Sequence, residues 1–316
     1  MVRKIIVDTD PGVDDVMALL LLLASPEVEL ELISVTFGNT SRDQAVTNIL
    51  KVFHIMGTHL MGNPQLVSQF PNSRRTEKTR VARGASGPLE GSLNLAAYFH
   101  GDDGLSNIST THPHFDVPED PMTLAKAERI VIMGGALDVP GNTSASSEFN
   151  FFADPYAAEE VLKAGSEGRV NLVLVPLDIT SRHTIPFSSL IRGPSLSISG
   201  TLAPEPNPTE MQPSILRDFT DAILARPREV LASLGLTGDV FEMHDPVAAY
   251  FVIDHARSSS ELGLEGTSGG SNSDERPCWA LRPGWETTIR RFVIERKGEW
   301  TKGMCVVDRR YGSMGS

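Results

Sequence analysis

The chain has 316 residues, a hydrophobic fraction of 40% and a formal net charge of -12 at pH 7. Its acidic residues are spread along the sequence without any basic stripe or arm, which argues against a nucleic acid partner, and its longest apolar run, residues 16–24, is too short to span a membrane. Cys278 and Cys305 do not make a disulfide framework, and a strand begins too early for a signal peptide, so we expect a cytoplasmic protein with reduced thiols.

The N-terminal part of the chain alternates between predicted strands and predicted helices. Apolar runs at residues 4–7 and 30–36 predict strands, and the stretches at residues 13–24 and 42–56 predict helices. Such alternation is typical of α/β proteins, in which helices cover a mostly parallel sheet. Ligands of these sheets collect at the carboxyl ends of the strands. On this prediction that edge carries Asp10, Asp14, Asp15 and Asn39.

The later elements complete a single predicted domain over residues 1–316. Polar stretches rich in turn-forming residues predict mobile loops at residues 57–78, 194–213 and 258–277. Further predicted strands cover residues 79–83, 129–133, 171–176, 287–295 and 304–308. Further predicted helices cover residues 156–164, 214–234 and 247–253.

Four carboxylates lie within eight residues directly after the first predicted strand: Asp8, Asp10, Asp14 and Asp15. Neighbouring anions repel one another unless a cation lies between them, and carboxylate oxygens are ligands of hard divalent ions. The plainer alternative is a helix N-cap by Asp10, with Asp14 and Asp15 in solvent. One acidic residue is often a cap, but four at this spacing favour a metal site. Asp8 is then a structural support for the loop.

Several motifs follow one another in the order that is typical of one enzyme family. They are Asp8-Thr9-Asp10-Pro11-Gly12-Val13-Asp14-Asp15, Gly38-Asn39, Val131-Ile132-Met133-Gly134-Gly135, Glu148-Phe149-Asn150 with Asp154-Pro155, and His244-Asp245-Pro246. Together they resemble the signature of the inosine-uridine-preferring nucleoside hydrolases and cover most of the chain. The resemblance implies a Rossmann-like α/β fold, a bound Ca²⁺ ion and hydrolysis of the N-glycosidic bond of ribonucleosides. It also implies assembly as a homodimer or homotetramer.

The resemblance further implies roles for individual residues. Asp10, Asp15 and Asp245 would bind Ca²⁺. Asp10 would also activate the attacking water, and His244 would face the leaving base. The substrate-binding residues would be Asp14, Asn39, Met133, Asn142, Glu148 and Asn150.

The local sequence leaves simpler alternatives open for some of these residues. Asn39 lies at a strand end, where an asparagine could simply favour a turn without contacting a ligand, and the same alternative holds for Asn142. Glu148 and Asn150 lie two positions apart, so in an extended segment their side chains project the same way. The alternative there is a solvent-facing loop. A lone histidine is usually structural, and we assign no role to the histidines other than His244.

One segment of the family has no counterpart in this sequence. Between residues 100–105, a glycine-rich loop, and the strand at residues 129–133, the family carries a strand ending in Gly-Pro-Leu-Thr-Asn and then a helix. Here residues 115–121 run almost directly into residues 122–128. The resemblance therefore implies loss of a backbone carbonyl ligand of the metal and of a β-α unit beside the first strand, which leaves ladder groups unpaired. A shortened and impaired relative, which binds calcium or ribosides without turnover, is the main alternative to an active hydrolase.

A phosphotransferase of the haloacid dehalogenase type is a more distant alternative. Asp8 and Asp10 directly after a strand superficially fit the nucleophile loop of that family. That loop requires Thr or Val two residues after its second Asp, where this chain has Gly12. The departure places this alternative well behind the hydrolase.

Overall fold

The computed structural model describes residues 2–73, 79–115, 129–191, 214–235, 239–256 and 281–309. Its first sheet contains three parallel strands, β1 (Arg3–Thr9), β2 (Val28–Val35) and β3 (Arg80–Arg83), with β2 in the middle. Helix α1 (Val13–Ala24) connects the first two strands, and α2 (Arg42–Gly62) follows the second. The predicted β-α-β-α alternation and its parallel sheet are confirmed.

A second parallel pair is formed by β4 (Arg129–Met133) and β5 (Asn171–Val175), with α5 (Phe149–Ala153) and α6 (Pro155–Ser166) between them in the chain. Two antiparallel pairs join β6 (Thr184–Pro186) to β7 (Val240–Glu242), and β8 (Phe292–Ile294) to β9 (Cys305–Val307). The other helices are α3 (Ala97–His100), α4 (Ile108–Thr111), α7 (Leu177–Thr180), α8 (Phe187–Leu190), α9 (Ile215–Ser233) and α10 (His244–Ala256), and 3₁₀ helices cover Pro64–Gln69 and Pro113–Phe115. No helix of these described ranges is long and apolar enough to cross a membrane.

Helix α1 is held in place by a large apolar core. Val16 and Leu23 on α1 are fully buried and belong to the same cluster as Ile55 on α2 and Phe219 and Ile223 on α9. Full burial of one such side chain contributes about 1.5–3 kcal/mol. This packing fixes the position of the α1 N-terminus, where the acidic loop ends.

The predicted loop at residues 57–78 is wrong in its first half. Helix α2 continues to Gly62, and a 3₁₀ helix follows over Pro64–Gln69. The reason is that His59 and Leu60 are buried, so the face that Ile55 and Met56 present to the core continues for another turn. Residues 74–78 and the predicted loops at residues 194–213 and 258–277 lie outside the described residues.

The strands differ in how completely they are covered. In the described part of the chain, β1 pairs only with β2, and β4 pairs only with β5, so no ladder joins β1 to β4. Every side chain of β2 is buried or half-buried, whereas residues 5–7 of β1 and residues 130–133 of β4 are at best half-buried. The two strands therefore each keep one open edge in the described structure. The segment that precedes β4, residues 116–128, lies outside it.

Candidate active site

The acidic loop lies at the carboxyl end of β1 and is built by local hydrogen bonds. Asp15 in the first turn of α1 accepts hydrogen bonds from the backbone amide of Gly12 (2.9 Å), the amide of Asn39 (2.8 Å) and the hydroxyl of Thr9. The backbone amide of Asn39 donates to Asp10 Oδ2 at 2.6 Å. The turn after β2 therefore holds two of the loop carboxylates in place.

Gly38 explains why the turn after β2 can approach Asp10 so closely. Its φ angle is +156°, and a Cβ atom at this position would lie 2.1 Å from Asp10 Oδ2. Any side chain there would displace the carboxylate. The Gly38-Asn39 pair is thus a structural requirement of the acidic loop as well as a wall of the site.

Three carboxylates converge closely enough to bind one cation. Asp14, Asp15 and Asp245 each offer an oxygen atom within 4.8 Å of the others, which makes them a candidate metal cluster among the described residues. Asp14 Oδ1 is buried and has no hydrogen-bond partner. Burial of an unpaired carboxylate oxygen is costly unless a cation compensates for it. The donor set therefore fits a hard divalent cation.

The electrostatics of the cluster agree with this interpretation. Burial, followed by the negative charge of Asp15, raises the pKa of Asp10 well above its ordinary value. Burial, followed by the charges of Asp15, Asp14 and Asp10, does the same to the pKa of Asp245. Burial also raises the pKa values of Asp14 and Asp15. Burial and mutual repulsion thus favour the neutral forms of these four carboxyl groups, and a cation beside them would favour the charged forms instead.

The metal set expected from the sequence differs from the geometric one at a single residue. Asp15 and Asp245 belong to both sets. The geometric cluster contains Asp14, which the resemblance assigned to the ribose, in place of Asp10. Asp10 lies beside the cluster, and one of its oxygens is occupied by the Asn39 amide.

His244 is the first residue of α10. It lines the same cavity as Asp10 and Asp14, although it comes much later in the chain. Its Nδ1 atom lies 2.8 Å from the hydroxyl of Thr180, and its Nε2 atom lies 3.0 Å from Glu242 Oε2. Burial lowers the pKa of His244, but the Glu242 hydrogen bond and the charges of Asp14, Glu242 and Glu148 outweigh it and raise the pKa above its ordinary value. The imidazole is therefore suited to carry a proton inside the site.

Glu148 and Asn150 do not lie in an extended segment, so that prediction is wrong. Glu148 is the N-cap of α5, because its carboxylate accepts hydrogen bonds from the amides of Asn150 (2.8 Å), Phe151 (3.2 Å) and Gly135 (2.8 Å). The capping bonds turn the chain into a helix immediately after Glu148. Asn150 instead donates to the backbone carbonyl of Met133 at 3.3 Å. Both side chains still reach the same cavity.

One cavity of about 410 Å³ collects almost all of the predicted site residues. Its volume lies within the range of small-molecule sites, roughly 300–1,000 Å³. The predicted residues that line it are Asp10, Asp14, Asn39, Met133, Asn142, Glu148, Asn150, His244 and Asp245. Asp15 lies behind this wall and Asn142 is fixed by a 2.9 Å bond from the Phe149 amide to its side-chain oxygen. The carboxyl-edge location expected from the sheet is thus confirmed.

Two polar residues of the cavity were missed at the sequence level. His100 is buried, accepts a hydrogen bond from the backbone amide of Val13 on Nδ1 (3.2 Å), and places Nε2 4.0 Å from Asp14 Oδ1. Burial lowers the pKa of His100 to about 4. The glycine-rich loop after His100 carries no sequence signal that assigns a role to this histidine. Glu242 precedes His244 by two residues, and this spacing does not by itself predict a contact. The contact forms because β7 ends at Glu242 and α10 begins at His244.

Another part of the cavity lining is apolar or aromatic. Its residues are Tyr98, Phe99, Leu231, Leu234 and Phe241. A cavity lined by both polar and apolar groups suits a ligand with a hydroxyl-rich part and a flat heterocyclic part. The fold and the cavity together define an α/β protein with an acidic cavity of a size that suits a small molecule.

Comparison with known proteins identifies the family. The profile described as inosine-uridine preferring nucleoside hydrolase matches residues 5–121 and 116–315, so the chain belongs to this family. The chain is 27% identical over 344 aligned positions to the pyrimidine-specific ribonucleoside hydrolase RihA of Klebsiella pneumoniae (strain 342), covering 98% of this chain and 89% of the relative. The resemblance stated from the sequence motifs is confirmed.

Solved structures support the fold. A plant nucleoside hydrolase, the PpNRh1 enzyme, matches with a TM-score of 0.66 and 18% identity over 99% of this chain and 90% of that chain. An inosine-guanosine nucleoside hydrolase matches with a TM-score of 0.60 and 19% identity over 99% and 89%. The predicted nucleoside hydrolase fold, with parallel strands flanked by helices, is therefore confirmed.

The family match is interrupted where the sequence departs from the family. The family profile matches in two stretches, which overlap at residues 116–121. The interruption lies between the glycine-rich loop and β4. β4 is the first described strand after this break, and in the described residues no ladder joins it to β1.

Proposed function

We propose that this chain is a calcium-dependent hydrolase that cleaves the N-glycosidic bond of ribonucleosides to ribose and free base. One observation carries the proposal: Asp14, Asp15 and Asp245 converge at a cavity whose other walls present His244 and Glu148. Membership of the nucleoside hydrolase family supports the same activity. Carboxylate oxygens that suit a cation and an imidazole that suits a leaving base line the same small cavity.

Asp15 and Asp245, with Asp10 and Asp14 beside them, would hold the cation. When bound, Ca²⁺ supplies positive charge that makes a nearby water more acidic and attracts hydroxyl oxygens of the ribose. Calcium is preferred to a transition metal because every candidate ligand is a carboxylate oxygen. Calorimetric titration of Asp10→Asn and Asp14→Asn with Ca²⁺ distinguishes their roles, since loss of a direct ligand weakens binding more.

The proposed chemistry divides between the two sides of the cavity. Asp10 accepts a proton from the attacking water, whose oxygen forms a bond to the anomeric carbon as the bond to the base nitrogen breaks. His244 donates a proton to the departing base, which would otherwise leave as an anion. Asp14, Asn39, Asn142, Glu148 and Asn150 hold the ribose hydroxyls, and Met133 contacts the sugar. Binding energy at the ribose thereby supports the reaction at its anomeric carbon.

A second candidate is a relative that binds Ca²⁺ or ribosides without turnover. The break in the family match at residues 116–121 favours it, because a change in the segment before β4 alters the support of the cavity wall to which Met133 of β4 belongs. Reaction geometry is sensitive to displacements of about 1 Å, so loose support can cost activity while binding survives. The haloacid dehalogenase alternative is set aside by the family assignment.

Ribose release from a panel of purine and pyrimidine nucleosides tests the proposal. Inosine, uridine, adenosine and cytidine are incubated with the purified chain and with Asp245→Asn. Asp102→Asn is the matched control, because Asp102 is exposed and does not line the cavity. We expect release by the wild type and the control and loss in Asp245→Asn. Absence of release by the wild type, together with measurable Ca²⁺ binding, would establish the second candidate.

We also propose a cytoplasmic location, a homodimeric or homotetrameric assembly and a ribonucleoside as small-molecule partner. These proposals follow from the sequence and from the family resemblance. Light scattering coupled to size exclusion measures the assembly directly. A monomer at working concentration would contradict the oligomeric proposal without affecting the proposed reaction.

A further inference from the structure

The imidazole of His244 is held at both of its nitrogen atoms. Thr180 bonds Nδ1 at 2.8 Å and Glu242 bonds Nε2 at 3.0 Å. The three residues come from separate elements, since Thr180 ends α7, Glu242 ends β7 and His244 begins α10. A ring fixed at both ends cannot turn about its own axis without breaking a hydrogen bond.

The two anchors differ in their exposure. Thr180 is fully buried, whereas the Glu242 side chain is 43% exposed and lines the cavity beside His244. The His244 side chain itself is only 16% exposed. Thr180 is therefore a permanent inner anchor, and Glu242 is the outer anchor that a ligand in the cavity could reach and displace.

The chemistry of the two groups fixes which of them donates in the hydrogen bond between His244 and Glu242. An ionised carboxylate can only accept, so Nε2 must carry a hydrogen atom when it bonds Glu242. The hydroxyl of Thr180 can donate or accept and therefore fits Nδ1 in either form. Glu242 thus selects the ring orientation in which an N–H group faces the cavity.

We propose that Glu242 is a positioning residue, which orients the His244 imidazole and keeps its Nε2–H on the cavity side of the ring until a bound base displaces the carboxylate and takes over that hydrogen bond. The inference rests on the proposed nucleoside hydrolase function. Glu242 acts through His244 and needs no contact with the reacting atoms. Partners of this kind are common beside functional histidines, and their loss typically lowers activity by about 10–100-fold.

The first experiment compares substrates whose leaving groups differ in their need for a proton. Inosine and uridine release poor leaving groups, whereas p-nitrophenyl riboside releases a phenolate that is stable as an anion. We expect Glu242→Ala to lower kcat for the nucleosides by about 10–100-fold with little change in KM. The loss on p-nitrophenyl riboside should be several-fold smaller. Equal losses on both substrates would overturn the proposal.

Three further variants separate positioning from general damage. Glu242→Gln keeps an accepting oxygen, so it should recover most of the activity that Glu242→Ala loses; no recovery would overturn the proposal. Glu229→Ala is the matched control, because Glu229 is an exposed glutamate of α9 that does not line the cavity. In a His244→Ala background, Glu242→Ala should have almost no further effect. Losses that multiply would mean that Glu242 acts independently of His244.

A spectroscopic measurement distinguishes failure of this inference from failure of the proposed function. In protein labelled with ¹⁵N-histidine, we expect Glu242→Ala to shift the ring nitrogen signals of His244, while Glu229→Ala leaves them in place. Unchanged His244 signals in Glu242→Ala would overturn the inference even if the wild type hydrolyses nucleosides. Shifted signals without any ribose release by the wild type would support the inference and contradict the hydrolase proposal.

Discussion

The acidic loop and strand β1 are neighbours in sequence, yet the described residues satisfy their hydrogen bonds to different degrees. In the loop, Asp15 accepts three hydrogen bonds from Thr9, Gly12 and Asn39, all from segments close to β1 and β2. On the opposite edge of β1, no described strand pairs with it. The loop carboxylates thus depend on short, local connections that this chain retains, whereas the described residues provide β1 with a ladder partner on one edge only.

The largest expected effect lies in the loop. Asp10→Asn removes the proposed general base while keeping an oxygen for the Asn39 amide, so we expect kcat for inosine or uridine to fall by about 10²–10⁴-fold. Ribose release measures it, and Asp102→Asn serves as the control. A variant with more than a tenth of the wild-type kcat would contradict the role of Asp10 and with it the view that the loop is functionally complete.

A pair of matched core substitutions sharpens the comparison of the two sheets. Ile33 in β2 is fully buried, so Ile33→Ala should lower the free energy of unfolding by about 2–5 kcal/mol. Ile130 in β4 is half-buried, and Ile130→Ala should cost only about 1 kcal/mol, because less apolar surface is lost. Urea denaturation measures both. Equal costs would show that β4 is covered in solution and that its edge is not open.

Calcium should stabilise the folded chain through the loop. A ligand that binds only the folded state at 100 times its dissociation constant adds about 2.7 kcal/mol to the free energy of unfolding. We expect thermal unfolding to shift upward with Ca²⁺ and back with a chelator, and Asp15→Asn to abolish the shift. The same shift in Asp15→Asn would place the cation elsewhere.

The smallest expected effects are at helix N-caps. A cap beside the first sheet and a cap beside β4 and β5 should contribute similarly to the free energy of unfolding. Ser41 caps α2 through the Gln44 amide, and Asp154 caps α6 through the Ala157 amide. Replacing either by alanine should cost about 1 kcal/mol. Asp154 also accepts from the Leu89 amide, so its loss should be slightly larger. A cost near zero at Asp154 would indicate that the region around β4 and β5 is already loosened.

The sequence predicts local elements and motif chemistry well because those depend on neighbours in the chain. The parallel β-α-β-α start, the loop carboxylates and the cavity location follow from apolar periodicity and from the carboxyl-edge rule. The end of α2 was missed because burial of His59 and Leu60 depends on tertiary packing. The helix after Glu148 was missed because its cap uses an amide from Gly135 as well as its own first turn.

The roles of His100 and Glu242 could not be predicted for a related reason. His100 reaches Asp14 only because its ring accepts the Val13 amide, 87 residues earlier in the chain. Glu242 reaches His244 because β7 ends immediately before α10 begins. Neither geometry has a periodic or compositional signal. Contacts between distant segments place these side chains, so the structure was needed to find them.

The central claim is that the intact loop is sufficient for catalysis although the family match is interrupted at residues 116–121. Ribose release from inosine and uridine by the purified full chain, measured with Ca²⁺, after chelation and after restoring Ca²⁺, tests it most directly. We predict release that chelation abolishes and added Ca²⁺ restores. A soluble, monodisperse chain that binds Ca²⁺ but releases no ribose under any of these conditions would contradict the claim.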